Sequence, residues 1–444
     1  MERKIRVLVV TYLPWSNDIS VGNTLSNIFK GMEDRIEFAN IYFREDVPDN
    51  DIVERFFNIS EKQLAKSIFA RDVIGCEVYP VKGQKNDFSK RYNKARSMRW
   101  DSMLLAQDMI GILGKWKSEA LDKFVSDFQP DLIFGPLGRV PVSNNLMRYV
   151  SQKFNIPLVT YPWDDHYSLK KVSFSPFFWI KTFVERHAIR KCAKQSCFLY
   201  GITQTMCDEY AGYFNKEFKV LYKGYEFGQM PEIKDATVPL KFVYMGNLGS
   251  GRWQVLGKIA EAINELNQEE KKAEMFVYSM SPKTNAMVKA LNSGDSYLMP
   301  PVDNKDVLPT MKSADVLVHV EPASLKDRLF FRLSFSTKLV DYFYNARCIF
   351  ALGGDTGSIR YLRDNDAAIV ETDIHKIKDQ INRLLTQPNL VKEYAEKAWK
   401  CGLRNHQIKN IQDRIYADFC NVIQNRNEHK QIKSENKGNL RGRS

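Results

Sequence analysis

No stretch of this chain reaches the run of about 18–20 apolar residues that a membrane-crossing helix needs. The 7 cysteines include no C-x-x-C pair, which argues against a zinc knuckle and against a dithiol redox motif. No metal is expected. Reduced thiols are, and with them a cytoplasmic setting. The opening residues, MERKIRVLVVTYLPWS, lack a small-residue cleavage site and read as a strand rather than an export signal. No strand is followed by G-x-G-x-x-G, and no glycine turn ends in Lys-Ser or Lys-Thr, so a dinucleotide enzyme and a P-loop NTPase are both disfavoured. Acidic residues are in deficit, 53 against 65 Lys and Arg, which leaves a formal charge of +12. That excess favours an anionic partner. No nucleic-acid reading motif accompanies it, so nucleic acid is not the partner expected.

What is present is strand and helix in alternation. IRVLVVTYLPWS is followed by GNTLSNIFKGM, and LKFVYMGNLGSG by RWQVLGKIAEAINEL. Each pair is a buried-type strand, a turn, then a segment with helical period. DLIFGPLG and IPLVTYPW continue the pattern in the first half. AEMFVYSM, ADVLVHVEP, RCIFALGG and AAIVETD continue it in the second. Such alternation predicts an α/β protein with two Rossmann-like, doubly wound parallel-sheet domains facing a cleft. The expected divisions are an N-terminal domain over 1–225 and a C-terminal domain over 238–405. A helix over 406–424 is expected to pack back on the first domain. A basic tail over 425–444, poor in apolar residues, is expected to have no regular structure.

A few clusters stand out chemically. In Gly246-Asn247-Leu248-Gly249-Ser250-Gly251-Arg252 the glycines permit close approach of backbone N–H groups to a phosphate, and Arg252 adds charge. The same residues also suit a plain tight turn. Lys338 and Asp341 sit three apart at the head of a helix, where they either meet an anionic, hydroxyl-bearing ligand or simply pair with each other. Asp164, Asp165 and His166 follow a strand, where ligands of parallel sheets collect; they are either acid–base groups or a helix cap with a surface histidine. Glu321 closes another strand and either faces the cleft or opens a loop. Residues 168–196 mix Phe174, Phe177, Phe178 and Trp179 with lysines and arginines. That composition suits either an anionic membrane interface or a core-facing helix with a solvated basic side.

Taken together these segments resemble the GT-B glycosyltransferases of family 4. FSTKLVDYFYNARCIFALGG is similar to the family segment P-[ST]-K-[LI]-x-E-Y-x-x-x-G-[KR]-P-[IV], and YMGNLGSGRW to its Y-x-G-x-x-x-x-x-[KR] turn. ITQTMCDEYAGYFNKEFKVLYKGYEF resembles the approach to the interdomain linker, YPWDDHYS stands where the family carries a catalytic Asp or His, and SVGNTLSNIF looks like the first acceptor-domain loop. The resemblance implies a retaining transferase with a nucleoside diphosphate sugar donor and a saccharide or lipid-linked hydroxyl acceptor. It acts without metal or cofactor, in the cytoplasm or at the inner membrane face.

On that mapping Arg252 and Lys338 hold the leaving diphosphate, and Asp341 contacts the ribose. Gly246, Asn247, Gly249, Gly251 and Thr337 line the donor, and Val302 lies under the base. Gly22 and Asn23 face the acceptor, and Asp164, Asp165 or His166 orients the reacting groups. The chain departs from the pattern at Asp341 (usually Glu), Leu333 (usually Glu), Asn345-Ala346-Arg347-Cys348 (usually Gly-[KR]-Pro) and Lys223 (often Asn). The departures at Leu333 and 345–348 leave open a catalytically silent partner protein of the same fold, and the shared two-domain architecture leaves open a nucleotide-sugar epimerase.

Overall fold

Runs such as Ile5–Val10 (β1) and Leu240–Met245 (β9) carry apolar side chains on both faces, and both are largely buried in the computed structural model. A strand with no polar face belongs in the middle of a sheet covered on both sides. The structure describes residues 3–17, 20–69, 74–80, 100–233 and 235–441. These described residues form two compact units, one drawn from within 3–169, 173–221 and 409–441 and the other from 170–172 and 222–408.

The first unit's sheet runs in the order β4-β3-β2-β1-β5-β6-β7-β8. Besides β1, its strands are β2 (Ile36–Tyr42), β3 (Val53–Asn58), β4 (Cys76–Val78), β5 (Leu132–Pro136), β6 (Leu158–Tyr161), β7 (Leu199–Gly201) and β8 (Phe218–Val220). All pairs are parallel except β3 with β4. The register sets Ile5 against Ile36 and Val7 against Leu132. Strand order reverses direction at β1, which lies between β2 and β5. The carboxyl ends of β1 and β5 therefore form a switch point, the place where open α/β sheets gather ligands.

The second unit's sheet is wholly parallel, in the order β11-β10-β9-β12-β13-β14. Its other strands are β10 (Ala273–Tyr278), β11 (Ser296–Met299), β12 (Val316–Val320), β13 (Cys348–Leu352) and β14 (Ile369–Glu371). Phe242, Val318 and Phe350 from its strands pack with Ile259, Ile263 and Ile381 from its helices. Here the switch point falls between β9 and β12.

The helix Ile408–Arg441 closes the first unit. Gln412 donates to the Ile28 carbonyl at 3.0 Å, the Tyr200 hydroxyl donates to Asp418 at 2.8 Å, and buried Phe419 packs on Phe29 and Phe134. The helix does not stop at 424. Its backbone continues through the stretch in which no regular structure is expected, while 442–444 lie outside the described residues. The reason is local. From 425 to 437 there is neither Pro nor Gly, and Arg, Lys, Glu and Gln extend a helix already nucleated upstream.

The first half of the helix Pro176–Gln195 turns its faces the opposite way from a plain amphipathic helix, whereas its second half buries Ala188, Ile189 and Cys192. The buried side of the first half carries Lys181 and Glu185, paired at 2.5 Å, whereas Phe177, Ile180 and Phe183 are exposed. The helix Asp101–Leu113 packs beside it and leaves Met103 and Leu113 exposed, with Trp100 just before.

Candidate functional site

At the carboxyl end of β9 the chain turns sharply. Ser250 and Gly251 are both left-handed, at φ 54° and 76°, and the helix Arg252–Leu266 starts immediately after. Only glycine adopts the second of these without strain. The turn is braced from inside: the Tyr244 hydroxyl donates to the Asn247 carbonyl at 2.7 Å, and Asn247 Oδ1 accepts from Gly249 N–H at 2.6 Å. Asn247 is thus a builder of the turn.

Lys338 begins the helix Lys338–Tyr344 and reaches back to this turn. A Cβ on Gly246 would sit 2.6 Å from Lys338 Nζ and 2.7 Å from the Tyr244 hydroxyl. Gly246 is thus where the ammonium and the Tyr244 ring meet the turn. Lys338 keeps a solvent-exposed side chain, yet protein surrounds its tip closely, as at the wall of a concavity. That surround, and then the Arg252 guanidinium, push its pKa down to about 8; Asp341 and Glu321 oppose the shift.

Arg252 is held in place from two sides. Its Nη2 lies 3.4 Å from Glu321 Oε2, and its guanidinium rests 4.7 Å from the centre of the Phe331 ring. Glu321 directly follows β12, so the pair spans the switch point. His319 Nε2 is 3.1 Å from the other Glu321 oxygen. Burial alone would raise the Glu321 carboxyl, but the bond from His319, the charges of His319 and Arg252 and the Ser358 hydroxyl outweigh it and hold it below the ordinary carboxylate range. Gly353, at φ 115°, lies against this corner: a Cβ there would meet the Glu321 carbonyl at 2.0 Å.

Asp341 takes a partner that sequence spacing does not suggest. Its carboxylate accepts two bonds from Lys223 Nζ, at 2.9 and 3.2 Å, in place of an i, i+3 pair with Lys338. Lys223 is in turn anchored through its carbonyl, which accepts from His406 Nδ1 at 2.9 Å. That bond requires the proton on Nδ1, leaving Nε2 to accept from the Tyr361 hydroxyl at 2.8 Å. Burial pushes the His406 pKa down to about 4, so the ring is neutral near pH 7.

Thr337 lies next to the site, but its backbone is helical and its side chain makes no cap bond. The helix it precedes has only seven residues, so the lysine rather than the helix end supplies the positive charge. Val302 is half-buried in the loop after β11, two strands from the glycine turn.

The candidates of the first unit are placed differently. Gly22 lies within the helix Ser20–Phe29 rather than in a loop, and a Cβ on it would meet the Ser16 carbonyl at 2.0 Å. Asn23 donates to the Asn17 carbonyl at 3.4 Å. Both shape the segment after β1. Asp165 follows β6 and is 2% exposed. It accepts from Ser168 N–H at 2.9 Å, from the Ser168 hydroxyl at 2.5 Å and from the Tyr210 hydroxyl at 2.9 Å. It caps a turn rather than a helix. Asp164 and His166 flank it, half-buried, with His166 N–H bonded to the Asp164 carbonyl at 2.9 Å.

The structure thus joins Gly246, Arg252 and Lys338 with Glu321, the strand-end carboxylate noted in the sequence, and adds His319 and the pairing of Lys223 with Asp341. The alternation His319-x-Glu321 was a usable signal, since residues two apart in a strand share a face. Lys223 had none, because 118 residues separate it from Asp341.

No protein-family model matches the sequence, and neither does any curated protein. Solved structures do match in shape. HepE of Anabaena, in complex with UDP and glucose, superposes with a TM-score of 0.60 at 11% identity over 94% of this chain and 100% of that one. Sucrose-phosphate synthase of Thermosynechococcus elongatus gives 0.59 at 11% identity over 97% and 100%. An α,α-trehalose 6-phosphate synthase of Burkholderia multivorans gives 0.59 at 9% identity over 96% and 98%. The likeness shows a shared fold, the two-sheet GT-B architecture.

Proposed function

We propose that this chain is a glycosyltransferase that moves a sugar from a nucleoside diphosphate donor to a hydroxyl acceptor. The observation that carries the reading is the convergence of Arg252 and Lys338 on the Gly246–Gly251 turn, at the switch point of the second sheet. The Arg252 guanidinium lowers the proton affinity of the Lys338 ammonium, and an anion bound between the two relieves that repulsion. A leaving diphosphate supplies that anion, and its charge grows as the bond to the sugar breaks, so fixed cations stabilise the transition state more than the ground state. The solved structures support the donor class, since HepE was obtained with UDP and glucose.

In this reading Gly249 and Gly251 let the main chain close on the phosphates. Val302 lies under the base, and Asp341, held by Lys223, offers its remaining lone pairs to ribose hydroxyls. On the first unit, Asp164 and His166 orient the acceptor hydroxyl or the donor sugar, and Asp165 holds their loop. Retention of configuration rests on the family resemblance. Because the cations do the neutralising, activity is expected to persist in EDTA; complete loss restored by Mg²⁺ would overturn that part. The acceptor is proposed to be a lipid-linked saccharide, with the exposed Phe174, Phe177, Ile180 and Phe183 resting at the interface of an anionic membrane.

A catalytically silent partner protein is the second reading, favoured by the Lys223–Asp341 pair, which already neutralises the carboxylate meant for ribose. A thermal-shift screen with UDP, GDP and their sugars, followed by product analysis with and without acceptor, separates the two. Stabilisation by a nucleotide and sugar transfer support the enzyme. Nucleotide binding without turnover supports the silent protein, and product formed without any acceptor supports an epimerase. No response to any nucleotide rejects the donor site.

A further inference from the structure

The first unit contains an open surface pocket of about 730 Å³ between the end of the helix Asp101–Leu113 and the outer face of the helix Pro141–Lys153. Its volume is in the range of small-ligand pockets. Along the second helix, Asn145, Arg148, Tyr149 and Gln152 line it. Their spacing of three and four places them on one face, while Val142, Leu146 and Val150 turn into the core. Lys115, Trp116 and Lys117 close the other side.

The chemistry of this lining is one-sided. It offers three cations and, among the described lining residues, no carboxylate. The Arg148 Nε is buried and has no hydrogen-bond partner. Lys117 Nζ lies 5.5 Å from the Trp116 ring centre and 5.1 Å from that of Tyr149. Those two rings meet edge to face at 5.5 Å, and the Tyr149 hydroxyl is pinned by Asp122 at 3.0 Å. The aromatic wall is thus rigid, with a side-chain amide at Asn145 and another at Gln152 beside it.

We propose that this pocket binds an anionic saccharide group, a sugar ring bearing a phosphate or a carboxylate. Arg148, Lys115 and Lys117 meet the anion. The half-buried Tyr149 ring borders the sugar, and the two amides bond its hydroxyls. The site lies wholly in the first unit and does not depend on the donor reading.

The test is titration calorimetry of the full chain with glucose 6-phosphate, glucuronic acid, glucose and inorganic phosphate. One of the two anionic sugars is expected to bind at least tenfold more tightly than glucose or phosphate, and which one does so identifies the charged group. The double variant K115Q/K117Q, at exposed positions that the core does not need, is expected to weaken that binding at least tenfold. R148Q should do the same, with circular dichroism reporting its folding. UDP affinity should stay within twofold in both. Equal affinity for phosphate and for the anionic sugars, absence of binding, or binding unchanged in K115Q/K117Q would each overturn the proposal.

Discussion

Asp165 and Glu321 are two buried carboxylates that follow strands of parallel sheets, at 2% and 3% exposure, and they differ in what they hold. Asp165 accepts from the Ser168 amide, the Ser168 hydroxyl and the Tyr210 hydroxyl, bonds that tie down its own loop. Glu321 holds a guanidinium and an imidazole, with Lys338 beyond. A carboxylate that accepts from the amide and hydroxyls around its own loop fixes that loop. A carboxylate beside arginine steadies a cation while leaving that cation able to meet another anion, because one guanidinium has five N–H donors. The same side-chain chemistry therefore builds a scaffold in one sheet and a poised site in the other.

The sharpest way to break this contrast is to remove the cations. Arg252→Ala and Lys338→Ala are each expected to lower kcat/KM for a nucleoside diphosphate sugar by roughly 10²–10³-fold, the usual cost of losing one preorganised group at a developing charge. Melting temperature should hardly change in Lys338→Ala, since Lys338 faces solvent, and should fall in Arg252→Ala, which strips buried Glu321 of its cation. Near-full turnover in either variant would remove that side chain from the mechanism.

A smaller effect comes from pH. Only the protonated ammonium attracts a diphosphate, and Lys338 in the free protein titrates at about 8. UDP affinity should therefore be flat below that pH and fall by up to about tenfold per unit above it. Lys338→Arg, whose side chain stays charged, should flatten the curve. A wild-type affinity that is constant from pH 7 to 10 would refute the assignment.

On the scaffold side, Asp165→Asn is expected to cost about 1–3 kcal/mol of stability, because buried hydroxyl donors lose a charged acceptor. UDP affinity should remain within twofold. A stable variant without transferase activity would instead make Asp165 a catalytic residue.

How far these features could be read from the sequence follows from their range. Apolar runs such as VLVV and LKFVYM announced β1 and β9, and the glycine turn announced the point where a helix begins. β2 and β3 were harder, because Glu37, Glu54 and Arg55 interrupt their apolar pattern although both strands pair within the sheet. Lys338 and Arg252 were legible through the turns that carry them. The Asp341 partner was not, since an ion pair across 118 residues leaves no local trace. The exposed aromatic face of Pro176–Gln195 shows the converse. Lys181, one of the basic residues of 168–196, is buried together with Glu185, because each supplies the other's counter-charge within one helical turn.

The return of the helix Ile408–Arg441 to the first unit makes the second unit an insertion within it. A nascent chain can complete the inserted unit while the rest is still being synthesised. The outer unit must wait, with Phe29 and Phe134 uncovered, until Phe419 leaves the ribosome. The unit translated first is the one finished last.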